Sequence, residues 1–141
     1  YEKKLALKFI FNFASLNNDN IQPLPEWLVK TLGFLNDSLS FSMPNVYEKC
    51  YEISGYSKAQ FNRLFKKYIG QTPSEYLSKR KIEYSCNMLL DTKYNMSIIA
   101  NHLGFYSTSH FIHLFKKYMN CTPLQYRKRV LERKSALNKT S

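Results

Sequence analysis

The chain has 141 residues and a mass of 16.7 kDa, enough for one domain of ordinary size or two small ones. Its 44% hydrophobic and 16% aromatic content excludes intrinsic disorder for most of its length, and 4 Gly with 5 Pro argue against a turn-dense sandwich or barrel. The net charge of +11 is unevenly placed: residues 1–45 carry four basic and four acidic side chains, so residues 46–141 hold the whole excess, which points to a polyanionic partner.

Residues 1–17 read as an amphipathic helix ending in the polar Asn17-Asn18-Asp19-Asn20 loop. The apolar stretch Leu5 to Leu16 is broken by Lys8 and Asn12. It is too short to span a bilayer and lacks the small-residue cleavage site of a signal peptide. The first residue is Tyr1 rather than Met, which suggests a fragment of something longer. Pro25-Glu26-Trp27-Leu28 then opens a helix through about Leu35, proline being preorganised for a helix start.

Val46–Ile53 is expected to be a short helix, and Ser54-Gly55-Tyr56 a turn. Ser57 caps the next helix, with Gln60 three residues on to complete a capping box. Thr72-Pro73-Ser74-Glu75 is a second start signal. Its helix can run to about Leu90, with Tyr76, Leu77, Ile82, Cys86, Leu89 and Leu90 available to pack inward. Met96–Leu103, the Gly104 turn and a helix capped by Ser107 follow, and Thr122-Pro123-Leu124-Gln125 opens the last helix. The polar tail from about Leu131 is expected to be frayed. The expected divisions are 1–22; a first helix-turn-helix unit with its linker helix at 23–92; a second unit at 93–132; and a tail at 133–141.

This order contains a repeat. Of the 22 positions in Lys58–Lys79, nine are identical in Thr108–Arg129, fifty residues on. They are Phe61/Phe111, Leu64/Leu114, Phe65/Phe115, Lys66/Lys116, Lys67/Lys117, Tyr68/Tyr118, Thr72/Thr122, Pro73/Pro123 and Tyr76/Tyr126. A glycine and an aromatic precede each copy (Gly55-Tyr56 and Gly104-Phe105), with one extra residue in the second. Two copies are too few for a solenoid. A short helix, a glycine turn and a second helix describe a tight crossing instead.

In the first copy Phe61, Leu64, Phe65 and Tyr68 form one apolar stripe at i, i+3, i+4 and i+7, which is core. Ala59 and Arg63 lie opposite, flanked by Gln60, Asn62, Lys66 and Lys67. In the second copy Ser109 and His113 lie opposite, flanked by Thr108, His110, Ile112, Lys116 and Lys117. Arginine pairs bidentately with guanine, Gln and Asn with adenine, and apolar groups such as Ala59 or Ile112 meet the thymine methyl. Lys58 and the pairs Lys66-Lys67 and Lys116-Lys117 suit backbone phosphates. A solvated polar face is the ordinary fate of such a stripe, but here it occurs twice, after a glycine turn, in the basic part of the chain.

His110 and His113 stand at metal-ligand spacing, with His102 or Cys121 as further donors, but no acidic partner or second pair supports an ion, and no metal or cofactor is expected. Cys50, Cys86 and Cys121 are an odd, widely spaced set without a C-x-x-C pair, consistent with a reducing, intracellular setting rather than a disulfide framework. Cys50 and Cys86 read as small core residues and Cys121 as a loop thiol. The chain contains no G-x-S-x-G, no phosphate loop and no paired carboxylates, so it is read as a non-enzyme.

From about Trp27 to Arg129 the sequence resembles the DNA-binding region of the AraC/XylS-type bacterial transcription regulators. The resemblance rests on Ser54-Gly55-Tyr56-Ser57, Arg63-Leu64-Phe65-Lys66, Arg80 with Leu89-Leu90, and Ile99-Ala100 with Gly104-Phe105. It continues through Phe111, Phe115-Lys116-Lys117-Tyr118, Thr122-Pro123 and Tyr126-Arg127. It implies an all-α fold of about seven helices, two helix-turn-helix units joined by a long linker helix, beside the N-terminal amphipathic helix, with residues 1–22 the end of an upstream sensor or dimerisation domain, or a linker. It also implies that Ala59, Gln60, Asn62 and Arg63, with Thr108, Ser109, His110, Ile112 and His113, read bases in two successive major grooves.

The implied partners are double-stranded operator DNA, RNA polymerase if the protein is an activator, and a second copy through the upstream domain; a membrane is not among them. The implied place is the bacterial cytoplasm, with the nucleoid. Three positions depart from the family pattern: Tyr51 where a small residue is usual (Ala100 in the other copy), Cys86 where alanine is common, and His113 at the position of Arg63. The reading from another class is a basic helical adaptor for an acidic protein or membrane surface, which predicts affinity for polyanions without sequence preference.

Overall fold

Helices begin where side chains can take up the free N–H groups of a first turn, and in a computed structural model of the chain a helix begins at each start expected after residue 22. The structure describes residues 23–139, so the amphipathic helix expected over residues 1–17 lies outside it. The described residues form seven α-helices: α1 (Glu26–Leu35), α2 (Val46–Ser54), α3 (Lys58–Ile69), α4 (Pro73–Met88), α5 (Met96–His102), α6 (Thr108–Met119) and α7 (Pro123–Lys139). A short 3-10 turn, Ser38–Ser40, follows α1. No strand occurs among the described residues. This is the all-helical, seven-helix architecture expected.

The caps are those of the sequence. Thr72 and Glu75 exchange bonds, the Thr72 N–H donating to Glu75 Oε2 (3.1 Å) and the Glu75 N–H to Thr72 Oγ1 (3.2 Å). Thr122 and Gln125 repeat the box at 3.0 and 3.2 Å. The Ser57 hydroxyl accepts from the Gln60 N–H and the Ser107 hydroxyl from the His110 N–H. α3 and α6 both end in a left-handed residue whose N–H reaches back to a lysine carbonyl: Gly70 to Lys66 (2.8 Å) and Asn120 to Lys116 (2.9 Å). α7 continues to Lys139, through the tail expected to fray, with residues 131–139 exposed.

The chain divides into two compact units between Leu77 and Ser78, within α4, whereas the sequence reading drew the division at 92/93. In the first unit α1 packs on α2, and Trp27 of α1 stands edge-on to Tyr56, Phe61 and Tyr68 at 5.3, 5.9 and 6.3 Å. A chain of rings continues from Phe61 to Phe65 (5.7 Å) and on to Tyr76 (5.7 Å). Asn36 Nδ2, at the end of α1, donates to the Tyr76 hydroxyl at 2.7 Å. The second unit repeats the chain of rings: Phe105 to Phe111 (5.3 Å), Phe111 to Phe115 (5.9 Å) and Phe115 to Tyr126 (5.6 Å). Of the identities between the copies, Phe61/Phe111, Phe65/Phe115 and Pro73/Pro123 are buried in each unit, Thr72/Thr122 cap helices, and the lysine pairs lie outside. Such aromatic pairs add to the burial of the rings themselves.

Along α4, Tyr76, Leu77, Ile82 and Leu89 are buried as expected. Cys86 is only half-buried and Leu90 is 36% exposed, because the helix ends at Met88 and Leu90 lies in the turn beyond it. Cys50, on α2, is fully buried, and burial pushes its thiol up to about 12. The nucleophile is the thiolate, so at pH 8 Cys50 is expected to resist iodoacetamide until urea unfolds the first unit, as peptide mass spectrometry would show. Modification of the folded protein within minutes would mean that α1 opens from α2 readily.

Candidate nucleic-acid interface

The turn before each second helix needs a residue with positive φ, and glycine supplies it without steric cost. Gly55 (φ 72°) ends α2 with a single bond from its N–H to the Tyr51 carbonyl. Gly104 (φ 75°) ends the corresponding helix of the second copy differently. Its N–H donates to the Asn101 carbonyl and the Phe105 N–H to the Ala100 carbonyl, the paired bonds of a Schellman motif. The extra residue of the second copy accompanies this change. It is Tyr106, between the aromatic and the capping serine.

The departure at Tyr51 also has its reason. Ala100 is buried at the start of the second turn, while Tyr51 is half-buried and stands edge-on to Phe61 at 5.4 Å. With Tyr47, Glu48, Lys58, Asn62 and Pro73 it lines a cleft of about 380 Å³ in the first unit.

On α3, Phe61, Phe65 and Ile69 are buried, and Lys58, Ala59, Gln60, Arg63, Lys66 and Lys67 are exposed. Arg63 lies four residues after Ala59 and three before Lys66, which puts the three on one face. Asn62 is half-buried in the cleft below Tyr51, so of the four expected base readers it is the one turned from the open face. On α6, Phe111 and Phe115 are buried, and Ser109, His113, Lys116 and Lys117 are exposed. Thr108, His110 and Ile112 are half-buried. Each helix therefore offers a row of one small residue, one nitrogen-bearing side chain and a lysine pair: Ala59, Arg63 and Lys66-Lys67; Ser109, His113 and Lys116-Lys117.

His110 departs from the expectation of a free reader. Its ring stacks on Tyr106 (centroids 4.0 Å apart, planes at 21°) and stands edge-on to Phe105 at 5.9 Å, and its Nδ1 is buried without a hydrogen-bond partner. Burial, then the neighbouring charges of His113 and Lys81, hold its pKa below the usual imidazole value, so the neutral ring is the form that packs. No group of three or more His, Cys, Asp or Glu side chains converges on a metal-sized site among the described residues.

Two further side chains are given no role by sequence reasoning. Arg127 of α7 donates from Nε to the Leu89 carbonyl (2.8 Å) and from Nη2 to the carbonyls of Asp91 (3.1 Å) and Tyr94. It thus gathers the end of α4 and the loop leading to α5, and the carbonyls at a helix end need such donors. Lys81 of α4 donates to the Gly104 carbonyl (3.4 Å), with its ammonium 5.5 Å from the Phe105 ring. Burial lowers its pKa. One of the many lysines is therefore spent on holding the turn that presents α6. The available signal was a contrast between the copies, since Arg127 stands where the first copy has the buried Leu77.

Comparison with known proteins agrees with this geometry. A family model described as a helix-turn-helix domain matches residues 51–129. No curated protein matches the chain in sequence. Among solved structures, the chain is similar to the C-terminal domain of the two-component response regulator yesN from Fusobacterium nucleatum: 30% identity, TM-score 0.61, 70% of this chain and 94% of that one. It is also similar to a transcriptional regulator with an AraC-type DNA-binding domain from Chromobacterium violaceum: 25% identity, TM-score 0.64, 73% of this chain and 90% of that one. The DNA-binding domain of the global transcriptional factor AdpA, solved with a target DNA, shares the fold at 21% identity and a TM-score of 0.65, over 77% of this chain and 96% of that one. Two units with a matching chain of rings, a glycine turn and a lysine pair on the outward helix, matched by the family model over more than half the chain, place this protein in the AraC/XylS-type helix-turn-helix family of DNA-binding transcription regulators.

Proposed function

We propose that the chain binds double-stranded DNA sequence-specifically and regulates transcription, reading two successive major grooves with α3 and α6. The observation that carries this reading is the repeated outward row on those two helices. Ala59, Gln60 and Arg63, and Ser109 and His113, are the central base readers. Asn62, Thr108 and Ile112 act from the flanks. Lys58, Lys66, Lys67, Lys116 and Lys117 hold phosphates, which set affinity and register without reading sequence. The halves 23–92 and 93–132 are the two functional modules. The cytoplasm of a bacterium is its place of action, RNA polymerase its further partner where it activates, and no catalytic step is part of its role. That AdpA's domain was solved on a target DNA supports the choice of partner.

The test is selection from a random pool of duplexes at near-physiological salt, followed by sequencing. The expected result is an enriched bipartite motif with half-sites about 10 base pairs apart. Tight, salt-sensitive binding with no enrichment would overturn sequence reading in favour of a general polyanion surface.

A further inference from the structure

Tyr106 is the residue that the second turn has and the first lacks, and it is 83% exposed, the most exposed large hydrophobic side chain among the described residues. An aromatic ring so open to water ordinarily samples several rotamers, but this one lies flat against His110 at 4.0 Å. His110 is held in turn by Phe105, whose ring lies under the Lys81 ammonium. The stack therefore fixes the direction of a phenol immediately before the cap of α6. Beside it is a cleft of about 300 Å³ lined by Ser97, Asn101, Ser107 and Thr108, and also by Ile98, Phe105 and Tyr106 itself. Hydroxyls and amides of this kind are the neutral groups that contact phosphate oxygens and sugars rather than base edges. In a helix-turn-helix the first helix of the pair crosses the nucleic-acid backbone. That helix here is α5, which supplies Ser97, Ile98 and Asn101.

We propose that Tyr106 is a DNA-backbone contact of the second unit, its hydroxyl donating to a phosphate seated in the cleft between α5 and the start of α6, and that His110 is the positioning residue that holds it. The inference rests on the DNA-binding reading above and adds a contact that the repeat alone does not supply. A rigid, uncharged donor assists a helix whose central reader is a histidine rather than an arginine. His113 lacks the bidentate fork of Arg63, so the second unit gains from anchorage independent of sequence.

The experiment uses the whole chain and the duplex enriched by selection, with Kd from fluorescence anisotropy across a salt series. Tyr106→Ala is expected to weaken binding about tenfold, the scale of one hydrogen bond to a charged group. The enriched motif stays unchanged and so does the salt slope, because no cation is removed. Tyr106→Phe, which keeps the stacked ring, is expected to lose nearly as much. His110→Ala is expected to reproduce part of the loss and to add little in the double variant, the mark of two residues acting as one unit. Since Tyr106 is so exposed, none of its variants should move the melting temperature.

Full affinity in Tyr106→Phe would overturn the phosphate contact. A changed base preference in His110→Ala would overturn its positioning role. Neither failure touches the broader reading, which stands or falls on whether the unaltered chain enriches any sequence.

Discussion

Arg127→Ala is expected to lower the stability of the second unit by about 2–3 kcal/mol. Its guanidinium holds three carbonyls, those of Leu89, Asp91 and Tyr94. Hydrogen bonds from a charged donor contribute roughly 1.5–3 kcal/mol each when shielded from water. The bond to Tyr94 is exposed and the two Nη2 bonds share one nitrogen, so the sum falls well short of three full bonds. What is lost is the tie between the end of α4 and the loop entering α5. Arg127→Lys should recover little, since one ammonium on a flexible stem cannot reproduce the planar fork. Urea unfolding followed by circular dichroism measures the difference. A change below about 0.5 kcal/mol, the ordinary range for a surface position, would mean that water satisfies those carbonyls as well as the arginine does.

Arg63→Ala is expected to cost about 1–3 kcal/mol at the selected DNA site and to relax preference at one base pair, because a bidentate arginine–guanine contact is worth that much discrimination. Arg63 is exposed on α3 beside Ala59, so the fold should not change. Lys66→Ala or Lys67→Ala should instead weaken every duplex alike and reduce the salt slope by about 0.9 for each phosphate contact removed. His113→Ala should cost less than Arg63→Ala, since an imidazole ring lacks the planar fork of donors that a guanidinium presents. Anisotropy titrations with the selected site and a scrambled duplex separate these roles. Equal losses on both duplexes for Arg63→Ala and for the lysine variants would show that the assignment of readers and phosphate contacts is wrong.

Much of this architecture was legible because it depends on short-range chemistry. Thr72-Pro73-Ser74-Glu75 and Thr122-Pro123-Leu124-Gln125 form reciprocal boxes three residues wide, and the structure closes both as written. The apolar stripes of α3 and α6 follow the helical period, so the buried phenylalanines and the outward row follow from spacing alone. The helix end near Leu90 was less legible, because Met88, Leu89 and Leu90 are all apolar and the pattern carries no stop signal before Asp91. The tail read as frayed from its polarity, yet α7 continues to Lys139. The polar residues there are good helix formers, and polarity excludes burial rather than helix.

The site was legible in its outline and not in its details. Residue type and helical period placed Arg63 and His113 on the open faces, since both depend only on the chain's own geometry. The half-burial of Asn62 beside Tyr51, and the engagement of His110 with Tyr106, depend on which bulky neighbour fills the space next to each. Residue type cannot say this, because a histidine at one spacing is equally a reader, a ligand or a packed ring. Arg127 and Lys81 belong to the same class. In composition they are two more cations of a basic chain, and contacts spanning 38 and 23 residues turn them into struts.

By itself the sequence determined the helices, the doubled core and the basic outward faces, because caps, periodicity and charge act over a few residues. Only the tertiary structure decided which polar side chains remain free for a partner, because long-range packing and unsatisfied carbonyls claim some of them first.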